Sequence, residues 1–308
     1  MLFEYAVEPK AIGSSWQNFR YLIEKFGFDR GRLISQFPKV WFKEVYKASA
    51  DLKPMERKRI EESLNSAKQS KFLRSGRPYD PALGGWVANA LAQQGVAPFH
   101  AIIAQDNVGG DPCIIVAEDA HELDPLMVSP HTWEVQRTGT ALANAMGPLL
   151  RSSRRLLFID RYFNVREERY KQTLRACLAH AYLSGIKGTR CEVHFCDHES
   201  RPPIEVLERD APGWLKGVIP DGMSVVLYAW KEKPGGGDFH ARYLLTDVGG
   251  VGVEAGFSAE GAHQSVQLAL LSADFAQSQL AVFAQTSTVY DLAHPILEIS
   301  ADGAVKRI

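Results

Sequence analysis

Apolar positions recur at helical spacing in the first part of the chain and gather into short runs bounded by charge in the second. In SSWQNFRYLIEKF (14–26), apolar side chains fall at 16, 19, 22, 23 and 26, which predicts a helix with Ser14 or Ser15 as N-cap and Gly27 as its stop. The same reasoning predicts helices over 38–49 (FPKVWFKEVYKA) and about 54–72, the latter with Pro54 in its first turn and ERKRIEESL supplying charge pairs four apart. RSGRPYD (74–80) reads as a loop, PALGGWVANALAQQ as a further helix, and FHAIIA and PCIIVA as short buried strands. From about residue 136 strand and helix alternate. TGTALANAMGPLLRSS is helical, RRLLFIDRYF (154–163) a buried strand, and VREERYKQTLRACLAHAYLSG a helix ended by Gly185. RCEVHFCD, MSVVLYAW and VQLALLS follow as strands, with helices over PIEVLERDAPGWL and ADFAQSQLAVFAQTSTVYDLA. The pattern predicts two domains: residues 1–135, a helix-rich α+β unit, and residues 136–308, an α/β unit. In the second, a mostly parallel sheet with helices on both faces is closed by an antiparallel hairpin.

Composition narrows the class. With 45% hydrophobic and 23% charged residues in 308, the chain is of globular type and long enough for two domains. No apolar run approaches the ~20 residues of a membrane span, and MLFEYAVEPK lacks a basic region followed by an apolar one. No membrane partner and a cytoplasmic location are therefore expected. Cys113, Cys177, Cys191 and Cys196 form no CxxC pair and fit a reduced compartment. The net charge of −1 is uneven: residues 1–80 hold 16 Lys and Arg against 10 Asp and Glu, and the remainder 19 against 26. A basic first unit suits a phosphate-rich partner such as nucleic acid, or is a set of solvated helix faces.

The chemistry concentrates in DFHARYLLTDVGGVGVEAGFS (238–258), which reads as two strands joined by a tight GG turn. On a strand, His240 and Arg242 lie on one face, with Phe239, Ala241 and Tyr243 on the other, buried face. Arg242 offers a planar fork for two phosphate oxygens. Asp247, at the strand end, is an acceptor able to hold the His240 ring in one tautomer. Gly256 permits close approach of a ligand, and Ser258 adds a hydroxyl donor. Together these make a phosphate-handling set.

The spacing His240-x-Arg242-x4-Asp247, followed by Gly256 and Ser258, resembles the phospholipase D superfamily signature, which is written with His, Lys and Asp and followed by a Gly-Ser-x-Asn-like turn. LLFIDRYF, with Asp160 at its end, also resembles the strand that opens that domain, so the resemblance covers roughly residues 140–300. It implies a phospholipase D-like mixed sheet flanked by helices. It also implies a phosphodiesterase that needs no metal and no cofactor, in which one His attacks phosphorus and a second protonates the leaving group. Arg242 stands in place of the family Lys, Glu260 lies near the position of the missing Asn, and the chain carries one motif where the family brings two together. A single motif is similar to that of bacterial nucleases that complete their site by homodimerisation. On this resemblance His240, Arg242, Asp247 and Ser258 are the catalytic set, with Arg242, Gly256, Ser258 and Asp160 holding phosphate. The implied protein is a homodimeric nuclease acting on DNA or RNA, in the setting of prokaryotic defence with other defence subunits as partners. A phosphate-binding subunit without turnover is the alternative.

Other constellations compete. His194, Cys196 and His198 share a strand face and read either as three zinc ligands or as a core strand with a polar end. Strand ends of this kind also place His194 or His198 to line the same pocket as His240. The basic and aromatic RLISQFPKVWFKEVYKA is a nucleic-acid surface or core at helical spacing. Asp160 either binds the motif loop or caps the next helix, and His263 is a secondary candidate for a leaving-group acid. DNVGGDP lacks the GK[ST] of a phosphate loop.

Overall fold

The computed structural model describes residues 2–186, 188–198 and 201–308, and divides into two compact units, Met1–His131 and Thr132–Ile308. The boundary falls four residues before the expected one because Thr132–Arg137 is a strand of the second unit.

The first unit runs β1 (Phe3–Val7), α1 (Pro9–Gly13), α2 (Trp16–Lys25), β2 (Arg32–Ser35), α3 (Trp41–Ala48), α4 (Pro54–Ala67), β3 (Phe72–Leu73), α5 (Trp86–Val96), β4 (Ala101–Ala104) and β5 (Ile114–Val116). Its five strands are all parallel, in the order β3-β2-β1-β4-β5. This corrects the α+β expectation: the unit is α/β. Successive strand residues feed two cores. Tyr5, Val7, Ala101 and Ile103 pack with Phe19, Trp41, Ile60 and Leu64 from α2, α3 and α4. Ala6 and Ile102 pack with Phe37, Ala90 and Trp86 on the α5 side. Ser15 is the N-cap of α2, its hydroxyl accepting the Asn18 amide at 3.3 Å. The aromatics of the basic stretch are core: Phe37 and Trp41 are fully buried, and the Trp41 indole donates to the Val7 carbonyl at 2.6 Å.

The second unit runs β6 (Thr132–Arg137), α6 (Gly139–Ser152), β7 (Arg155–Asp160), α7 (Glu168–Leu183), β8 (Arg190–Cys196), α8 (Ile204–Leu215), β9 (Ser224–Glu232), β10 (Arg242–Thr246), β11 (Gly250–Val253), β12 (Gly261–Leu270), α9 (Ala273–Val282), β13 (Tyr290–Leu292), β14 (Leu297–Ser300) and β15 (Val305–Arg307). The sheet has ten strands, with the path β15-β14-β9-β8-β7-β10-β11-β12-β6 and β13 also on β9. Only β7, β8 and β9 are mutually parallel, and every other pairing is antiparallel. The sheet is thus mixed rather than mostly parallel. Leu157 and Ile159 face a core with Ala276 and Phe283 on the α9 side. Phe158 faces the opposite way, packing edge-on against Phe163, which lies against Tyr170 of α7. Among the described residues no helix is long and apolar enough to cross a membrane.

Candidate functional site

Asp160 is the last residue of β7 and pairs in register with Arg242, the first residue of β10. Because directly opposed residues on neighbouring strands point to one face, the acid and the cation meet at the strand ends. Asp160 is buried, and its two oxygens tie two segments together. Oδ1 accepts the Tyr162 amide at 2.9 Å, and Oδ2 accepts the Phe257 amide at 3.0 Å. The expected alternatives for Asp160 therefore resolve toward the motif loop. Burial lifts the Asp160 carboxyl above its ordinary range, against the pull of those two amides and of the Arg242 and Arg201 charges.

Around this clasp lies a cavity of about 490 Å³, lined by five arginines (137, 161, 169, 201 and 242) against the carboxylates of Asp160, Glu167 and Glu260. Their bonds sort the arginines. Arg137 donates to the carbonyls of Ser258 (3.1 Å) and Ala255 (3.0 Å) and to the Ser258 hydroxyl, so it holds the turn after β11. Arg161 pairs with Glu232 at 2.6 Å, and Arg169 pairs with Glu167 at 2.7 Å and Glu260 at 2.9 Å. Arg201 donates to the Arg161 carbonyl at 3.2 Å and lies over the Phe195 ring. Arg242 donates to the Glu254 carbonyl at 2.5 Å. Among the described residues neither Arg201 nor Arg242 forms an ion pair with a carboxylate. Burial pushes the Arg201 guanidinium down from its ordinary value, but a guanidinium stays charged across the physiological range.

The expected site residues divide. Arg242, Asp160 and Ser258 line the cavity. Gly256 does permit a close approach, but of Asp160: its φ is +76° and a Cβ there would lie 2.2 Å from Oδ2. The Ser258 hydroxyl accepts from Arg137. His240 lies outside the cavity lining. β7 ends at Asp160, so the ladder stops at Arg242 and the residues before it leave the strand. Phe239 anchors that segment, fully buried against Phe283 and Tyr290. The His240 side chain is 75% exposed, with Nε2 3.2 Å from Asp238 Oδ2. Asp247 is at the far end of β10, where its carboxylate accepts the amides of Arg154 (3.0 Å) and Arg155 (3.3 Å). It fastens the start of β7 and does not reach His240, which corrects the tautomer role assigned to it. His263 is exposed on β12, outside the cavity lining.

His198 lines the cavity, and so does Cys196. His194 does not join them in an HxCxH ligand set. Its ring is fully buried, stacked on Tyr228 with centroids 4.4 Å apart. The Trp230 indole donates to Nδ1 at 3.0 Å, and Nε2 lies 3.1 Å from the Glu192 carboxylate. Since an indole only donates, Nδ1 is bare and Nε2 carries the proton. The strand reading of CEVHFCD as core therefore holds through Cys196.

No family model matches the chain, and no curated protein matches it. Among solved structures, one match is the archaeal chromatin protein TrmBL2, described as showing a novel mode of DNA binding. The superposition covers 79% of this chain and 66% of that one, at 10% identity and a TM-score of 0.26. The chain thus spans just under two thirds of that protein's length, and a likeness of this size carries no argument about fold or function.

Proposed function

We propose that the carboxy-terminal unit binds a phosphate group of nucleic acid in the arginine cavity, and that it acts as a recognition module. One observation carries the reading: Arg201 and Arg242 converge on a half-open cavity with no carboxylate pairing either of them among the described residues. Each spends one donor on a carbonyl, and a guanidinium has five. An under-compensated cation costs free energy unless an anion neutralises it, and the planar fork matches phosphate oxygens. The test is binding of a labelled oligonucleotide, followed by anisotropy across a salt series. Arg201→Ala and Arg242→Ala each weaken binding by about 10-fold or more, as loss of a charged hydrogen bond predicts. His240→Ala leaves it unchanged. Wild-type affinity in both arginine variants would overturn the proposal.

The second reading is a metal-independent phosphodiesterase with a site shared between two copies. The observation in its favour is His240 itself, exposed beside the start of β10 with Asp238 against Nε2. An isologous contact would bring two such rings together. In that case the same oligonucleotides are cleaved in EDTA, cleavage is lost in His240→Ala, and the solution mass is that of a dimer. A single-chain mass with no product from wild type rules this reading out and leaves the binding module.

A further inference from the structure

Tyr162 lies two residues beyond Asp160 and lines the same cavity, yet its side chain is not buried. It is 55% exposed, while the neighbouring Phe163 is fully inside. The Tyr162 amide is fixed on Asp160 Oδ1, so the root of the side chain is held by the same clasp that sets Arg242. The Arg242 guanidinium carbon lies 5.8 Å from the Tyr162 ring centroid, and that of Arg161 lies 6.0 Å away. An exposed aromatic ring on a fixed stem, flanked by guanidinium groups, is the pairing with which proteins hold unstacked bases: the ring stacks on a base and the cation takes the phosphate. A cavity of about 490 Å³ falls within the range of small-ligand sites and admits one nucleotide.

We infer that the cavity takes one nucleotide of a single-stranded nucleic acid, with its phosphate on Arg201 and Arg242 and its base stacked on Tyr162. This rests on the phosphate reading above and adds the base. Duplex DNA keeps its base faces occupied by their neighbours, so it offers the phosphates and withholds the stacking surface. The unit therefore prefers single strands, with little dependence on sequence, because every base has a face.

The experiment compares three labelled probes: an oligothymidylate of about ten nucleotides, within the range of single-strand sites, an abasic oligomer with the same number of phosphates, and a hairpin duplex. Wild type binds the oligothymidylate about 10-fold to 100-fold more tightly than the abasic oligomer, the ratio that one base stack supplies. Tyr162→Ala binds both equally, at the abasic level, and Tyr162→Phe restores the preference. Because the ring is exposed, Tyr162→Ala melts at the wild-type temperature, which separates a lost contact from a lost fold. If Tyr162→Ala keeps the preference while Arg201→Ala weakens both oligomers, the base inference falls and the phosphate reading stands. If neither arginine variant changes binding of any probe, the phosphate reading falls and takes this one with it. Tighter binding of the hairpin than of the oligothymidylate also overturns the inference.

Discussion

Replacing Gly256 by Ala strikes the clasp on which the cavity is built. Two costs add. At φ +76° an L-residue sits in left-handed backbone, worth about 1–2 kcal/mol. The new Cβ would also lie 2.2 Å from Asp160 Oδ2 and 3.0 Å from its Cγ, so the carboxylate must move. Moving it breaks the bond from the Phe257 amide, and orphaning that buried donor costs about 1–3 kcal/mol. The sum, about 2–5 kcal/mol, is a large share of the 5–15 kcal/mol typical of a domain. Urea unfolding measures it, and amide hydrogen exchange at Phe257 assigns the loss to this unit. The decisive comparison is the cycle with Asp160→Ala. With the carboxylate gone, the nearest remaining neighbour is Arg242 Cδ at 3.4 Å, an ordinary contact. Only the backbone cost then remains, so Gly256→Ala costs about 1–2 kcal/mol in that background. An equal cost with and without the Asp160 side chain refutes the clasp as the cause.

Two further outcomes test the rest of the unit. Burial opposes the charge on Glu192, but hydrogen bonds from His194 and Arg155 prevail and hold its carboxyl at about 2 against the ordinary 4.5. A carboxyl depressed in the folded state contributes stability that is present above its unfolded value and lost as pH falls through the folded one. His194, kept neutral by burial and so lowered from 6.5, adds a loss of the same sign that starts below that pH. The melting temperature is therefore expected to fall from about pH 6.5 downward, with a second decline between about 4.5 and 2 that Glu192→Gln removes; a profile flat from neutrality to pH 3 contradicts the network. Asp247→Ala loses two backbone contacts at an exposed strand start, worth about 0.5–1.5 kcal/mol each, and leaves oligonucleotide affinity unchanged by anisotropy. Weakened binding would return Asp247 to the site.

The parts of the fold legible in sequence are those whose burial is two-sided. RLLFID and SVVLYAW are largely apolar runs because β7 and β9 are covered on both faces, while CEVHFC of β8 also buries Glu192 and His194 as a hydrogen-bonded pair. Strands β2 and β3 carry too little signal of their own. Arg32–Ser35 opens on a charged residue whose guanidinium is buried by donating to the carbonyls of Lys25 and Met127. Phe72–Leu73 follows α4 closely enough that the helical pattern runs on to 72, although the helix ends at Ala67. The helix read over 273–293 stops at Val282 for a related reason: Phe283 and Tyr290 are drawn into the aromatic core around Trp230, and Tyr290–Leu292 pairs with β9. Parallel pairing across the first unit is set by strand order, which no local window contains.

The site was legible only where one strand defined it. Asp160 at the end of an apolar run and Arg242 on its own strand face were both readable. The alternation that placed His240 beside Arg242 holds only while a ladder continues, and here the partner strand ends two residues too soon. The remaining cations come from separate elements: Arg137 closes β6, Arg169 begins α7, and Arg201 precedes α8. No spacing links them, since sheet order alone brings them to one cavity. Nor did summed charge locate them, because residues 132–308 carry 20 acidic against 19 basic side chains. What an anion meets is the charge left after pairing. Among the described residues, Glu232, Glu167 and Glu260 pair with Arg161 and Arg169, carbonyls, a hydroxyl and Glu260 hold Arg137, and Arg201 and Arg242 form no ion pair. A unit with almost no net charge can thus present a cationic pocket, provided its carboxylates are spent on the neighbouring arginines.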